Sequence, residues 1–173
     1  LIEQIDALAR MANEFARFAK LPEPNFEKIE LGTFITQTIA LFDEDQTMIH
    51  FQGPRSALWM NADSDMLSQV FHNLLLNARQ ATDLNPAPKI EIRLQIEKES
   101  VQIAIQDNGV GISKEQQERI FTPYFTTKSS GSGIGLSVVR QIIEKHNGEI
   151  RFESTEGKGT TFYVQLHLIS KGA

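Results

Sequence analysis

Cysteine is absent from this 173-residue chain, so neither a disulfide nor a thiolate metal site contributes to it, and the composition fits a reducing compartment. No apolar run approaches the ~18 residues a membrane span requires, and nothing resembles a signal peptide. A basic block is missing as well. The 17 Lys and Arg face 22 Asp and Glu, for a net charge of -5, which argues against nucleic acid as a partner. What is present is an ordinary globular composition, 40% hydrophobic and 23% charged. A chain of this size buries about two-thirds of its surface on folding, enough for one or two domains with a real core. Leu1 already sits inside a periodic segment, without Met or a cap, as expected of a piece of a longer protein.

Leu1, Ile5, Leu8, Ala12, Phe15 and Ala19 are spaced 4, 3, 4, 3 and 4 residues apart, which predicts a helix with an a/d seam. Met11 and Phe18 widen the stripe, and Pro22 and Pro24 stop the helix and stiffen a linker. Such a face must be covered by a partner helix, a second subunit or the domain that follows. The seam and the rigid exit favour a bundle.

Beyond Asn25 the pattern changes. A helix is predicted over 31–42, strands near 48–51 and 57–60, and a long helix to about Ala81, capped by Asp63 or Ser64. Ile90, Ile92, Leu94 and Ile96 alternate, as do Val101, Ile103 and Ile105, predicting a hairpin with one buried face. A short helix over SKEQQERIF and a polar loop, TPYFTTKSSGSG, come next. A further helix runs to about His146, where Asn147 and Gly148 close it. A last hairpin spans EIRFES and TTFYVQLHL. The expected fold is α+β, a two-layer sandwich of a mixed, mainly antiparallel sheet covered by helices.

Four stretches carry chemistry. In GSGIGL, Gly131, Gly133 and Gly135 let backbone N–H groups approach an anion, and the helix behind them adds its positive end. An ordinary tight turn has the same composition, and the Gly-Lys-Ser/Thr of a Walker loop is lacking. In QDNGVGI, Asp107 shares the parity of Val101, Ile103 and Ile105, so its carboxylate points to the buried face, where it needs hydrogen bonds. It either caps its own turn or accepts from the exocyclic amine of adenine, with Gly109 and Gly111 lying against the base. In FHNLLLNARQA, Asn73 and Asn77 stand one helical turn apart beside an apolar stripe, with Gln69 and Gln80 extending the column. Solvated surface amides are the bland reading. The sharper one is Mg²⁺ bound through phosphates plus a protein oxygen. In FTPYFTTK, Phe121 and Phe125 anchor the loop, and Lys128 is placed to reach a terminal phosphate.

These stretches occur in the order of the N, G1, F and G2 boxes of bacterial sensor histidine kinases. Over residues 31–168 the chain resembles the Bergerat-fold (GHKL) ATP-binding domain. Residues 1–24 resemble the second helix of a dimerisation hairpin and its linker, as in nitrogen-regulation-type kinases, and 25–173 the catalytic domain. The resemblance implies ATP and Mg²⁺ as cofactors. It makes Asn77 the magnesium ligand, Asp107 the adenine-reading carboxylate, and Asn73 and Lys128 catalytic positions. It adds Gln80, Gly109, Gly111, Ile112, Phe121, Gly131, Ser132, Gly133, Ile134, Gly135, Leu136 and Thr161 to the nucleotide contacts. A response-regulator receiver domain and a homodimer through the chain's own hairpin are the implied partners. The implied place is the cytoplasm, with any inner-membrane anchor in segments outside this chain.

Hydrolytic relatives of the gyrase, mismatch-repair and Hsp90 types carry a glutamate where Asn73 stands, and an amide cannot take a proton from water. That favours transfer to another nucleophile over an ATP-driven clamp or a purely regulatory nucleotide module. His50, His72, His146 and His167 are the histidines present. None has the His-Glu/Asp-x-x-x-Pro setting of the family's acceptor, which is expected upstream of Leu1. His146 reads as a positive charge at a helix end.

Overall fold

The computed structural model describes residues 21–42, 48–127 and 131–169. The expected a/d helix before Leu21 and Lys128 lie outside the described residues.

Strand β1 (Glu27–Glu30) leads directly into helix α1 (Leu31–Phe42), which turns Leu31, Ile35 and Ile39 inward. Glu30 caps α1: its Oε1 accepts from the N–H of Gly32 at 3.1 Å and of Leu58 at 3.0 Å, and its Oε2 from Thr33 at 2.7 Å. Strands β2 (Ile49–Gln52) and β3 (Trp59–Ala62) follow, each displaced by one or two residues from the positions expected. β1 had no signal in the sequence. Only Ile29 of EKIE is apolar, and the strand exists because it pairs antiparallel with β3, Ile29 opposite Met60.

Helix α2 (Ser64–Thr82) is capped by Asp63, whose side chain accepts from the N–H of Met66 at 2.9 Å. It buries Met66, Leu67, Val70, Phe71, Leu74, Leu75 and Ala78, the 3.6-residue stripe the sequence predicts. The hairpin of β4 (Ile90–Glu97) and β5 (Ser100–Asp107) comes next. Helix α3 is confined to Lys114–Gln117, shorter than expected, and turns occupy 118–124. Helix α4 (Gly135–Lys145) ends in a left-handed Asn147, φ 54°. The N–H of Gly148 returns to the Ile143 carbonyl at 2.9 Å and that of Asn147 to Glu144 at 3.0 Å, the paired bonds of a Schellman close. Strands β6 (Glu149–Thr155) and β7 (Gly159–His167) complete the regular structure of the described residues.

The main sheet has the order β2-β4-β5-β7-β6; β2 pairs parallel to β4 and the other three pairings are antiparallel. Helices α2 and α4 pack on each other and on one face of the sheet. Ile90, Ile92, Val101, Ile103, Ile105, Phe162, Val164 and Leu166 supply that face's buried side chains. Each such side chain contributes roughly 1.5–3 kcal/mol on burial. The other face carries Glu91, Arg93, Gln102, Gln106, Arg151 and Tyr163 and is open to water. The result is the mixed two-layer sandwich.

Candidate functional site

Asp107 ends β5 on the buried face and is 5% exposed. Its Oδ1 accepts from the N–H of Gly109 at 2.9 Å and of Thr160 at 3.3 Å. A carboxylate out of water needs such donors, and these hold it in a fixed orientation. The loop that follows is clamped from both sides. On one, the N–H of Val110 donates to the carbonyl of Ala81 at the end of α2, 3.0 Å away. On the other, the N–H of Ile112 donates to Ser154 Oγ at 2.8 Å, and the N–H of Gly157 to the Val110 carbonyl at 2.7 Å. The approach to α2 explains Gly109: a Cβ there would overlap the Ala81 carbonyl oxygen.

Asn73, Asn77 and Gln80 lie half-buried along α2. A methyl group on Gly135 would lie 3.3 Å from Asn73 Oδ1, so the first amide stands against the start of α4. The eight-residue step from Asn73 to Ala81 rises about 12 Å along the helix axis. The polar column therefore connects the N-terminus of α4 at one end with the Asp107 loop at the other. Gly133 adopts φ +70°, and its Cα packs against the backbone of Tyr124 and Phe125, tying GSGIGL to FTPYF. Gly131 and Ser132 are half-buried, Ile134 is buried and caps nothing with its side chain, and Leu136 packs on the core. Phe121 is anchored edge-on to Phe152 and Phe162, with the Arg140 guanidinium over its ring at 5.1 Å. Phe125 carries Arg119 over its own ring.

A hollow of about 550 Å³ lies elsewhere, lined by Glu30, Thr33, Thr36, Phe51, Pro54 and Arg55 among others, and contains none of these residues. The candidate site is instead a fixed buried carboxylate, an amide column and a glycine-rich helix start, joined along α2.

A family model described as histidine kinase-, DNA gyrase B- and HSP90-like ATPase matches residues 62–170. The chain belongs to this ATPase family. Within it, the chain is similar to sensor histidine kinases. It is 35% identical to ZraS of Salmonella typhimurium over 99% of the chain, and 31% identical to NtrY of Azorhizobium caulinodans, also over 99%. It spans 37% of the first relative's length and 23% of the second's. The nucleotide-free catalytic domain of the histidine kinase ThkA superposes with a TM-score of 0.73 at 32% identity, covering 83% of this chain and 95% of that one. The chain is thus an ATPase-family domain of the histidine-kinase catalytic type, with the Bergerat fold.

Within this histidine-kinase domain the structure separates two neighbouring threonines. Thr161 pairs with Gln106 and shares its face of the sheet, away from the Asp107 carboxylate. Thr160 is the residue whose N–H meets Asp107, and its hydroxyl lies 2.9 Å from Ser154 Oγ. The parity of β7, with Thr160, Phe162, Val164 and Leu166 inward, was the signal available in the sequence. His146 also differs from expectation. It is 6% exposed, its Nδ1 lies 2.8 Å from the carbonyl of Ile142, and its Nε2 accepts from the N–H of Asp63 at 3.1 Å. A carbonyl can only accept and an amide N–H only donate, so in this pattern Nδ1 faces the carbonyl as donor and Nε2 offers its lone pair to Asp63. His50, His72 and His167 are exposed, with His72 edge-on to Phe42.

Among the described residues no group of three or more His, Cys, Asp or Glu side chains could hold a metal. A donor set of side-chain amides suits a hard cation that arrives with phosphates and keeps most of its waters.

Proposed function

We propose that the chain binds Mg·ATP in the groove between α2, the loop after Asp107 and the start of α4, and that it passes the γ-phosphoryl group to a histidine preceding Leu1 in the longer protein. The observation that carries this reading is the Asp107 carboxylate, buried and held by two backbone N–H groups at the end of an amide column that leads to a helix N-terminus. Asp107 accepts from the adenine amine, where guanine would present a carbonyl. Asn77 supplies the protein oxygen to Mg²⁺, whose chemistry there is to neutralise phosphate charge. The backbone of 131–136 and the positive end of α4 hold the phosphates, and Lys128 reaches the terminal one.

Asn73 has no basicity, so water at the γ-phosphorus is not activated by it. The acceptor is a neutral imidazole: its nitrogen lone pair forms the new N–P bond, the bond from the γ-phosphorus to the bridging oxygen breaks, and ADP leaves with that electron pair. The displaced ring proton goes to solvent. Residues 1–24 serve as the second helix of a dimerisation hairpin with its linker, the homodimer presents the acceptor, and a response-regulator aspartate receives the group. The described residues include no helix long and apolar enough to cross a membrane, so an anchor would lie outside them.

The test supplies γ-labelled ATP, Mg²⁺ and an upstream-helix protein bearing the acceptor histidine. Acid-labile label on that protein supports the transfer; free phosphate with none on protein overturns it in favour of an ATP-driven clamp. Asn77→Ala should weaken Mg-dependent ATP binding by about tenfold or more, the loss of one strong oxygen contact, and unchanged affinity would remove the ligand assignment.

A further inference from the structure

The linker before the catalytic domain is pinned at one point by groups that the nucleotide site does not use. Pro22 and Pro24 have no N–H to offer, so the linker's backbone donors are few. The N–H of Asn25 donates to Asp63 Oδ2 at 2.8 Å, while the other oxygen of the same carboxylate caps α2. Phe26 sits edge-on to the His146 ring with centroids 5.2 Å apart, and Leu21 packs against the core. Lys145 and Glu23 add an exposed ion pair at 3.0 Å, worth little by itself.

The Asp63 backbone completes the cluster. In a capping box the third helical residue reaches back to the N–H of the cap, but here that residue is Met66, which has no acceptor. His146, 83 residues away, supplies one through Nε2. Asp63 thereby joins three elements: the linker through Oδ2, the start of α2 through Oδ1, and the end of α4 through its N–H. These two helices carry the amide column and the glycine-rich helix start. Whatever fixes the linker to their far ends sets where residues 21–26 lie relative to those two helices.

We infer that Asp63, braced by His146, is a positioning residue for phosphoryl transfer: it latches the linker so that the acceptor-bearing segment meets the groove in one orientation. The inference rests on the transfer reading above for its kinetic readout. Misplacement of reacting groups by about 1 Å costs about a hundredfold in rate, so a released latch should lower turnover without touching ATP binding.

Two variants break the same bond from opposite sides. Asp63→Asn keeps an oxygen for Met66, since Asn caps a helix as well as Asp, but turns the linker-facing atom into a donor. Asn25→Pro removes the N–H instead. In the full-length kinase each should lower kcat for histidine phosphorylation by about fivefold or more, leave KM for ATP within about twofold, and the double variant should be no worse than the poorer single one. Unchanged or raised kcat, multiplying losses, or KM moving with kcat would overturn the latch. Hydrogen exchange in this chain separates the two readings. The Asn25 amide should exchange about tenfold faster or more in Asp63→Asn while the Met66 amide stays protected. If the parent kinase labels no histidine, the transfer reading falls and this exchange result decides the latch; equal Asn25 exchange in parent and variant sinks it.

Discussion

Thr160 turns its N–H to Asp107 Oδ1 at 3.3 Å and its hydroxyl to Ser154 Oγ at 2.9 Å, joining the last hairpin of the sheet to the carboxylate at the end of β5. Ser154 in turn receives the N–H of Ile112, so one threonine ties together both flanks of the loop that faces the proposed adenine.

Thr160→Val retains the backbone N–H and removes the hydroxyl. ATP affinity should fall about three- to tenfold, the scale of one hydrogen bond, whereas Thr161→Val on the opposite face should leave it within about twofold. Calorimetric titration of both variants checks the assignment, and equal losses would remove it.

Asp107→Asn should weaken ATP by about tenfold or more, because a charge-assisted acceptor becomes a neutral one. The parent chain should prefer ATP over GTP. Equal binding of the two nucleotides by the parent would take the adenine role from Asp107.

Gly109→Ala introduces a Cβ onto the Ala81 carbonyl, backbone that α2 holds in place. The loop must move, at a cost of about 1–3 kcal/mol, typical of overpacking. Thermal unfolding should show that loss together with weakened ATP binding, since the displaced loop carries the proposed base contacts. A fully stable variant with parental affinity would show that α2 and the loop are not closely apposed.

Glu30 gives a pH dependence remote from the groove. Burial raises its pKa, but hydrogen bonds from the Thr33 side chain and from the backbone N–H groups of Thr33, Leu58 and Gly32 outweigh it and hold the carboxyl down to about 2 from an ordinary 4.5. A folded-state value below the unfolded one means that the stabilisation is complete above pH 4.5 and is lost as the pH falls toward about 2. Glu30→Gln should cost about 1–2 kcal/mol at neutral pH and flatten the acid limb of the stability curve in that window. Denaturant titrations from pH 2 to 7 read both effects, and parallel acid limbs in parent and variant would assign the acid sensitivity to other groups.

Much of this protein was determined by local sequence alone. The apolar stripe of Met66, Val70, Phe71, Leu74 and Ala78 can bury itself only as a helix, and the alternation through Val101, Ile103 and Ile105 only as a strand. Asp107's place on the inner face follows from the same parity, and four motifs in order mark the family. These are short-range regularities, and the chain obeys them wherever it packs. Tertiary structure decided the rest. β1 is a strand because β3 pairs with it, although its own residues are mostly charged. Thr160 rather than Thr161 meets Asp107 because the register of β7 on β5 places it there. His146, which by position reads as a cation at a helix end, instead bridges the end of α4 to Asp63, because the Ile142 carbonyl faces one ring nitrogen and the Asp63 N–H requires a lone pair at the other. A buried polar atom must be satisfied by whatever the fold brings to it, and no local pattern records a partner 83 residues away.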